Sequence, residues 1–399
     1  MFSGKHILVG VTGGIAAYKS ALLVRELMKR QADVKVMMTD AATQFVAPLT
    51  FETLTEQPVA TTMFGRDVTS PTVHIEWARW PDLIVICPAT ANTMAKVAHG
   101  FADNLLTTTL LAATVPVMFC PAMNVEMYKN SMYQQNERLL EAAGYTLVQP
   151  GSGFLACRET GPGRLADIED IVNEIHFTLN RSQEWHGKKV VVTAGPTREA
   201  VDPVRYLSNR SCGKMGFALA EEALLRGAEV VLITGPVTLH ASARIQTIAV
   251  ETARDMANAV EQQVSDADVL IMAAAVSDFE PAHVADQKIK KSAGVDQLEL
   301  KTTPDILKTA GFTKGKRIHV GFSLETENEM QHSLKKMREK QCDLMVMNNP
   351  LEKGAGFDVD TNKVSFLFQD GTTESLPLMS KTDVAKEILN RLEPLMSSV

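Results

Sequence analysis

His6-Ile7-Leu8-Val9-Gly10-Val11-Thr12-Gly13-Gly14-Ile15-Ala16-Ala17 decides the fold class. A short apolar, β-branched run ends in glycines. Beyond them Ser20–Arg30 places Leu23, Val24 and Leu27 on one helical face. Strand, glycine turn and one-faced helix open a βαβ unit. The runs Val34–Met38, Leu83–Cys87, Val117–Cys120 and Thr146–Val148 are apolar throughout, as strands of a parallel sheet covered on both faces must be. An open, doubly wound, Rossmann-like α/β sheet is predicted for this half. Glycines in the turn let backbone approach a phosphate at the helix N-terminus. The spacing is not the G-x-G-x-x-G fingerprint, and a plain tight turn reads equally well.

The pattern halts in the polar stretch Asn180-Arg181-Ser182-Gln183-Glu184 and restarts with Val190–Ala194. Val230–Thr234, Val269–Ala273, His319–Phe322 and Leu344–Met347 read as the next strands, and Val364–Phe368 with the turn Asp370-Gly371 reads as a hairpin. A helix is expected over Asp383–Leu392. The chain of 399 residues suits two domains, and the boundary falls near residue 185, giving 1–185 and 186–399. Thr193-Ala194-Gly195-Pro196-Thr197-Arg198 repeats the strand-to-helix turn, with Pro196 removing one amide donor. Both turns favour a nucleotide or flavin phosphate over NAD.

The net charge of −7, without a block of like charges, argues against nucleic acid and anionic membrane as partners. Five scattered cysteines with no C-x-x-C pair suggest reduced thiols in a cytosol. The N-terminus runs straight into a strand, so no signal peptide is expected. Between Asp103 and Glu126 the chain carries no charge, but its threonines, Pro116 and Pro121 predict a helix and a buried strand rather than a membrane span. The reading is a soluble, cytoplasmic protein.

Four segments of the first half carry chemistry. His74 stands in Pro71-Thr72-Val73-His74-Ile75-Glu76-Trp77, where a helix cap is the plain reading. Cys87-Pro88-Ala89-Thr90-Ala91-Asn92-Thr93 lies at a strand's C-terminal end, where open α/β sheets bind ligands. Cys120-Pro121-Ala122-Met123-Asn124 ends another, with Asn124 able to donate to a carboxylate. Gly151–Leu165 is too rich in glycine and proline for regular structure, and suits a mobile flap bearing Cys157 and Arg164.

Together these segments resemble the homo-oligomeric flavin-containing cysteine decarboxylases, phosphopantothenoylcysteine decarboxylase in particular, over residues 1–175. The resemblance implies a flavodoxin-like domain holding FMN against Gly13, Gly14, Ile15, Thr39, Ala89, Thr90, Asn92 and Met123. It implies His74 as essential base, Asn124 on the substrate carboxylate, Arg164 at the substrate, and Cys157 as proton donor. It also implies redox-neutral chemistry: the flavin oxidises the substrate thiol to a thioaldehyde, CO₂ leaves, and the flavin returns the hydride. Two positions depart from the family pattern. Tyr128 stands where tryptophan is usual, and Arg158 where a glycine commonly follows the cysteine.

In the second half, Asp202-Pro203-Val204-Arg205-Tyr206-Leu207-Ser208-Asn209-Arg210-Ser211-Cys212-Gly213-Lys214-Met215-Gly216 is too rich in donors for a mere connector. Lys288-Ile289-Lys290-Lys291 reads first as a solvated face. This half resembles phosphopantothenate–cysteine ligase over residues 188–395. The resemblance implies that Arg205 and Asn209 handle an acyl intermediate and that Lys288 is catalytic. It places Met272, Ala273, Ala274, Asp278, Lys288, Pro304, Asp305, Ile306, Leu307, Phe322, Lys336 and Lys340 at nucleotide and substrate. The implied reaction joins 4'-phosphopantothenate and cysteine with CTP and Mg²⁺ through an acyl-cytidylate, as in fused bacterial enzymes. No metal ligands are legible, and no residue separates CTP from ATP. Flavin-domain trimers and ligase-domain dimers, combining into a dodecamer, are implied as well. An NAD-dependent oxidoreductase is the alternative from another class, and the missing fingerprints count against it. A catalytically silent flavin-binding subunit is a further alternative, opposed by the joint presence of His74, Asn124 and Cys157.

Overall fold

The computed structural model describes residues 2–64, 72–154, 160–290, 297–324, 329–348, 354, 356 and 359–397. They fall into two compact units, Met1–Asn180 and Arg181–Val399.

In the first unit, β1 (His6–Val11), β2 (Asp33–Met38), β3 (Leu83–Ala89), β4 (Val117–Pro121) and β5 (Thr146–Leu147) form a parallel sheet of order β2-β1-β3-β4-β5. Its helices are α1 (Ala17–Lys29), α2 (Asp40–Thr43), α3 (Pro48–Thr55), α4 (Val73–Arg79), α5 (Ala91–Ala98), α6 (Leu105–Ala112), α7 (Val125–Lys129), α8 (Ser131–Ala142) and α9 (Ile168–Asn180). Alternate strand residues feed two cores. Ile7, Val9 and Val11 pack with α1, α3 and α9, while Leu8, Ile84 and Ile86 pack with α4, α5, α6 and α8. Covering both faces is what makes these strands apolar throughout. The uncharged stretch is α6 followed by the buried β4, as its sequence predicts.

The expectation of an irregular flap is corrected. Gly151–Phe154 (β6) and Thr160–Arg164 (β7) pair as an antiparallel ribbon, with a register shift between Gly151 and Ser152. The glycines serve close packing here rather than looseness. A Cβ on Gly161 would lie 2.7 Å from Val125 Cγ2, and Gly163 holds φ +114°. Cys157 and Arg158 lie outside the described residues.

The second unit contains β8 (Lys189–Ala194), β9 (Arg198–Ala200), β10 (Tyr206–Ser208), β11 (Glu229–Thr234), β12 (Gln246–Ala249), β13 (Val269–Met272), β14 (Phe279–Pro281), β15 (Leu300–Thr302), β16 (Ile318–Leu324), β17 (Leu344–Asn348), β18 (Thr361–Asn362), β19 (Val364–Phe368), β20 (Thr373–Ser375) and β21 (Met379–Ser380). The main sheet runs β12-β11-β8-β13-β16-β17-β19-β20. Its first six strands are parallel and have the doubly wound order, and β19 and β20 form the antiparallel edge. α11 (Ala253–Gln263), α12 (Ile306–Phe312) and α13 (Glu329–Glu339) pack on one face through Met256, Val260, Ile306 and Met337. α10 (Lys214–Leu225) and α14 (Lys381–Ser397) pack together, α10 against β8 and α14 against β16.

Candidate active sites

In the first unit the strand order reverses between β1 and β3, and doubly wound sheets bind ligands outside the carboxyl ends of such strands. Thr12 joins the two strand ends. Its Oγ1 donates to Pro88 O at 2.6 Å and accepts from Thr90 N at 3.0 Å. A cavity of about 1070 Å³ opens here, as large as the roomiest small-molecule sites at roughly 300–1,000 Å³. Gly13, Gly14 and Ile15 form its floor at the start of α1. A Cβ on Gly13 would lie 2.5 Å from Ala41 Cβ and 2.9 Å from Ala41 C, so only glycine allows this approach. The N-cap of α1, Ala16, offers no side-chain hydrogen bond. Ala17 N and Lys19 N donate to Gly14 O and Ala16 O, each at 2.9 Å, and the helix start still presents its positive end to a ligand anion. By contrast Thr39 caps α2 and Thr90 caps α5, and both line the cavity.

The opposite wall is Met123, Asn124, Gly163 and Arg164. Asn124 is the N-cap of α7, with Oδ1 accepting from Glu126 N at 2.8 Å and Met127 N at 3.4 Å. Oδ1 thus faces the helix amides, and Nδ2 is the donor end of this side chain. Met123 N donates to Gly163 O at 2.9 Å, which ties the ribbon to this wall. A helix start without a side-chain cap, a glycine turn and a mixed polar and apolar lining fit the phosphate and ring of a flavin.

In the second unit the reversal lies between β8 and β13. Gly195 follows β8 with φ +73°, and Gly213 is the N-cap of α10 with φ +82° and no side-chain cap. A Cβ on Gly216 would lie 2.5 Å from Ala194 Cβ, so α10 starts hard against the end of β8. Ala275 N donates to Gly195 O at 2.9 Å, Ala274 N to Thr193 Oγ1 at 3.2 Å, and Ser277 N to Thr197 Oγ1 at 3.0 Å. Met272, Ala273 and Ala274 thus lie beside the glycine turn. Asn209 is held over the same end, Nδ2 donating to Ala275 O at 3.0 Å and Val276 O at 3.2 Å.

Residues 1–180 match the family described as Flavoprotein, and residues 185–395 the family described as DNA/pantothenate metabolism flavoprotein C-terminal domain. The chain is 47% identical over 398 residues to the coenzyme A biosynthesis bifunctional protein CoaBC of Bacillus subtilis (strain 168), covering 99% of this chain and 98% of that protein. The chain belongs to this bifunctional family. CoaBC of Escherichia coli (strain K12) is 40% identical over 394 residues, covering 98% and 97% of the two chains. Among solved structures, the C-terminal domain of a CoaBC protein is 40% identical, with 55% of this chain and 100% of that chain covered and a TM-score of 0.48. As a CoaBC-family member the chain is a flavin-dependent phosphopantothenoylcysteine decarboxylase joined to a phosphopantothenate–cysteine ligase.

The first-unit cavity brings together Gly13, Gly14, Ile15, Thr39, Thr90, Asn92, Met123, Asn124 and Arg164. Ala89 is buried in β3, and neither it nor His74 is among the cavity's lining residues. His74 lies in α4, and its Nδ1 is buried without a hydrogen-bond partner among the described residues. The sequence reading missed Lys19 and Lys96, which also line the cavity. Lys19 carried a signal: a cation in the first turn opposes the helix dipole, and an anion bound there would offset it. Lys96 pairs with Asp103 at 2.5 Å.

In the second unit Ile306 and Leu307 are buried in the core, so their side chains pack rather than face solvent. Asp305 caps α12 through Lys308 N and pairs with Lys340 Nζ at 3.1 Å. Phe322 is half-buried in β16, Asp278 and Lys288 are exposed, and Lys336 lies on α13. Arg205 is already engaged, as Nε and Nη2 both donate to Asp202 Oδ2. Among the described residues no group of three or more His, Cys, Asp or Glu is placed to hold a metal ion, and no helix is long and apolar enough to cross a membrane.

Proposed function

We propose that residues 186–399 join 4'-phosphopantothenate to cysteine with CTP and Mg²⁺ through an acyl-cytidylate. Residues 1–185 then decarboxylate 4'-phosphopantothenoylcysteine to 4'-phosphopantetheine, with FMN as the flavin. The supporting observation is that each sheet reversal carries a glycine turn beside a helix start without a side-chain cap, at Ala16 and at Gly213. One suits the flavin phosphate and the other the phosphates of nucleotide or substrate.

In the decarboxylase, the bound flavin supplies a hydride acceptor and donor, so that CO₂ is lost without net oxidation. Asn124 Nδ2 donates to the substrate carboxylate, Arg164 binds substrate, Cys157 delivers a proton to carbon, and His74 is the base. Since His74 does not line the cavity of its own chain, this reading needs a second copy to present it. Exposed Ile15, Tyr18, Leu49 and Phe64 on the same unit give such a contact apolar surface. We therefore favour flavin-domain trimers, joined by ligase-domain dimers into a dodecamer.

In the ligase, Asn209 and Arg205 handle the acyl intermediate, and Lys288 offsets charge developing on the α-phosphate. Asp278, Phe322, Lys336, Lys340 and the Pro304–Leu307 segment at the start of α12 hold the nucleotide, Ile306 and Leu307 through their backbone. Mg²⁺ accompanies the triphosphate, whose charge it neutralises. The scattered cysteines support a cytoplasmic location for the enzyme. Mass spectrometry of the chromophore released by heat, together with pyrophosphate release under CTP and under ATP, tests the assignments. FMN and a preference for CTP are expected; FAD or a preference for ATP would overturn the corresponding one.

A further inference from the structure

Asp202 lies outside the groups assigned above, yet its buried carboxylate takes five hydrogen bonds. Oδ1 accepts from Val204 N and Arg205 N, each at 2.9 Å, which closes the turn that leads into β10. Oδ2 accepts from Arg205 Nε at 2.9 Å, Arg205 Nη2 at 2.5 Å and Ile289 N at 3.1 Å. The same Nη2 donates to Ile289 O at 2.9 Å. Ala285 N donates to Val201 O at 3.1 Å, so the chain around Ile289 is fastened to this turn at a second place.

An Asp at the head of a turn needs only one oxygen to close it. Here the second oxygen gathers a guanidinium fork and an amide 87 residues away. Both backbone polar groups of Ile289 are taken by the Asp202–Arg205 pair, in a stretch that is neither helix nor strand. Lys288 and Lys290 flank that residue, so what fixes the Ile289 backbone fixes where Lys288 can reach. The arginine facing Asp202 also holds its carboxyl far below the usual range, so the charged form that receives these donors persists at all working pH values.

We propose that Asp202 is a positioning residue of the ligase, acting through Arg205 and the Ile289 amide to hold Lys288 at the acyl-transfer site. The proposal rests on the reading of Lys288 as the group that offsets phosphate charge. Misplacing such a group by about 1 Å costs on the order of 10²-fold in rate. In Asp202→Asn, an amide placed at Oδ2 meets three donors with donors of its own, while Oδ1 still closes the turn.

The test uses the full chain: wild type, Asp202→Asn, Lys288→Gln and the double variant, read by pyrophosphate release from CTP, phosphopantothenate and cysteine with Mg²⁺. Decarboxylation of supplied phosphopantothenoylcysteine in the same samples controls for the first unit, and the KM for CTP reports whether the ligase unit is folded. Asp202→Asn is expected to lower kcat by on the order of 10²-fold, with KM for CTP within about threefold and decarboxylation unchanged. The double variant is expected within about threefold of Lys288→Gln alone, because both changes remove one function. Ile289→Pro, which removes the amide that Asp202 receives and also restricts the backbone of Lys288 before it, is expected to reproduce the loss, while Ile289→Ala keeps near-normal rates. Wild-type turnover by Asp202→Asn or Ile289→Pro, or losses that multiply in the double variant, would overturn the proposal and leave the Lys288 reading standing. Wild-type turnover by Lys288→Gln would sink that reading, and the proposal with it.

Discussion

Replacing Thr12 by valine would cut the stitch that holds the two strand ends at the flavin site. Valine keeps the shape of threonine but offers no hydrogen bond, so little of the effect would come from packing. Thr12 is fully buried, and its Oγ1 gives one hydrogen bond to Pro88 O and takes one from Thr90 N. Both partners would be orphaned at about 1–3 kcal/mol each. The Pro88 carbonyl, bonded in a buried setting, belongs near the top of that range, and the half-buried Thr90 amide near the bottom. A loss of about 3–4 kcal/mol follows, which for a unit of this size is a melting shift of about 6–15 °C. Thr90 also caps α5 and lines the cavity, so the loss concentrates where the flavin binds. Flavin fluorescence, followed during a thermal ramp, reads the first unit without interference from the second. Thr12→Val is expected to release its flavin many degrees early. A variant that keeps its flavin and melts within about 2 °C of wild type would refute the reasoning.

Three other changes probe separate parts of the account. In Gly163→Ala the new Cβ would lie 2.5 Å from Met123 O at φ +114°, so the ribbon must move off the wall that holds Asn124. About 2 kcal/mol or more of strain should lower decarboxylation kcat/KM at least 30-fold and leave pyrophosphate release intact, as the two coupled assays would show. Asn124→Asp keeps the cap of α7 and should retain flavin and fold. Loss of the Nδ2 donor and charge repulsion of the substrate carboxylate should weaken decarboxylation by about 10–100-fold in steady-state kinetics. His319 is buried and accepts from Arg317 Nε at 2.9 Å, and burial with the Arg317 and Lys314 charges lowers its pKa to about 3. Asp343 Oδ2 receives the His319 amide at 2.7 Å from the other side. In the unfolded chain this histidine takes a proton near pH 6.5, so stability is full above that value. It falls by up to about 1.4 kcal/mol per pH unit from there down toward pH 3. Chemical denaturation at pH 7 and pH 5 should show a shallower loss for His319→Gln; equal losses would contradict the neutral assignment.

The strands of both sheets could be read from composition because buried parallel strands leave no polar alternation to confuse them. Val190–Ala194 and Leu344–Met347 are found within a residue of their expected bounds. The glycine turns were legible because their position after a strand has a physical meaning. Elements whose pairing is set by distant partners were not. β12 is a largely exposed edge strand, Gln246-Thr247-Ile248-Ala249, with no apolar run to announce it. The ribbon of β6 and β7 hides in glycine-rich sequence, because its glycines answer to Val125 and Met123 across the cavity wall. Asn124 stood out as a lone amide at a strand end. Asp202 did not, since a carboxylate next to a proline reads as turn punctuation until Ile289 arrives beside it.

The most direct test of the central claim is to give the purified protein phosphopantothenate, cysteine, CTP and Mg²⁺ and to identify the products by mass spectrometry. The account predicts phosphopantetheine with CO₂, CMP and pyrophosphate, and phosphopantothenoylcysteine only as a transient. No nucleotide turnover, or a stable build-up of phosphopantothenoylcysteine without CO₂, would contradict the claim that one chain performs both steps in that order.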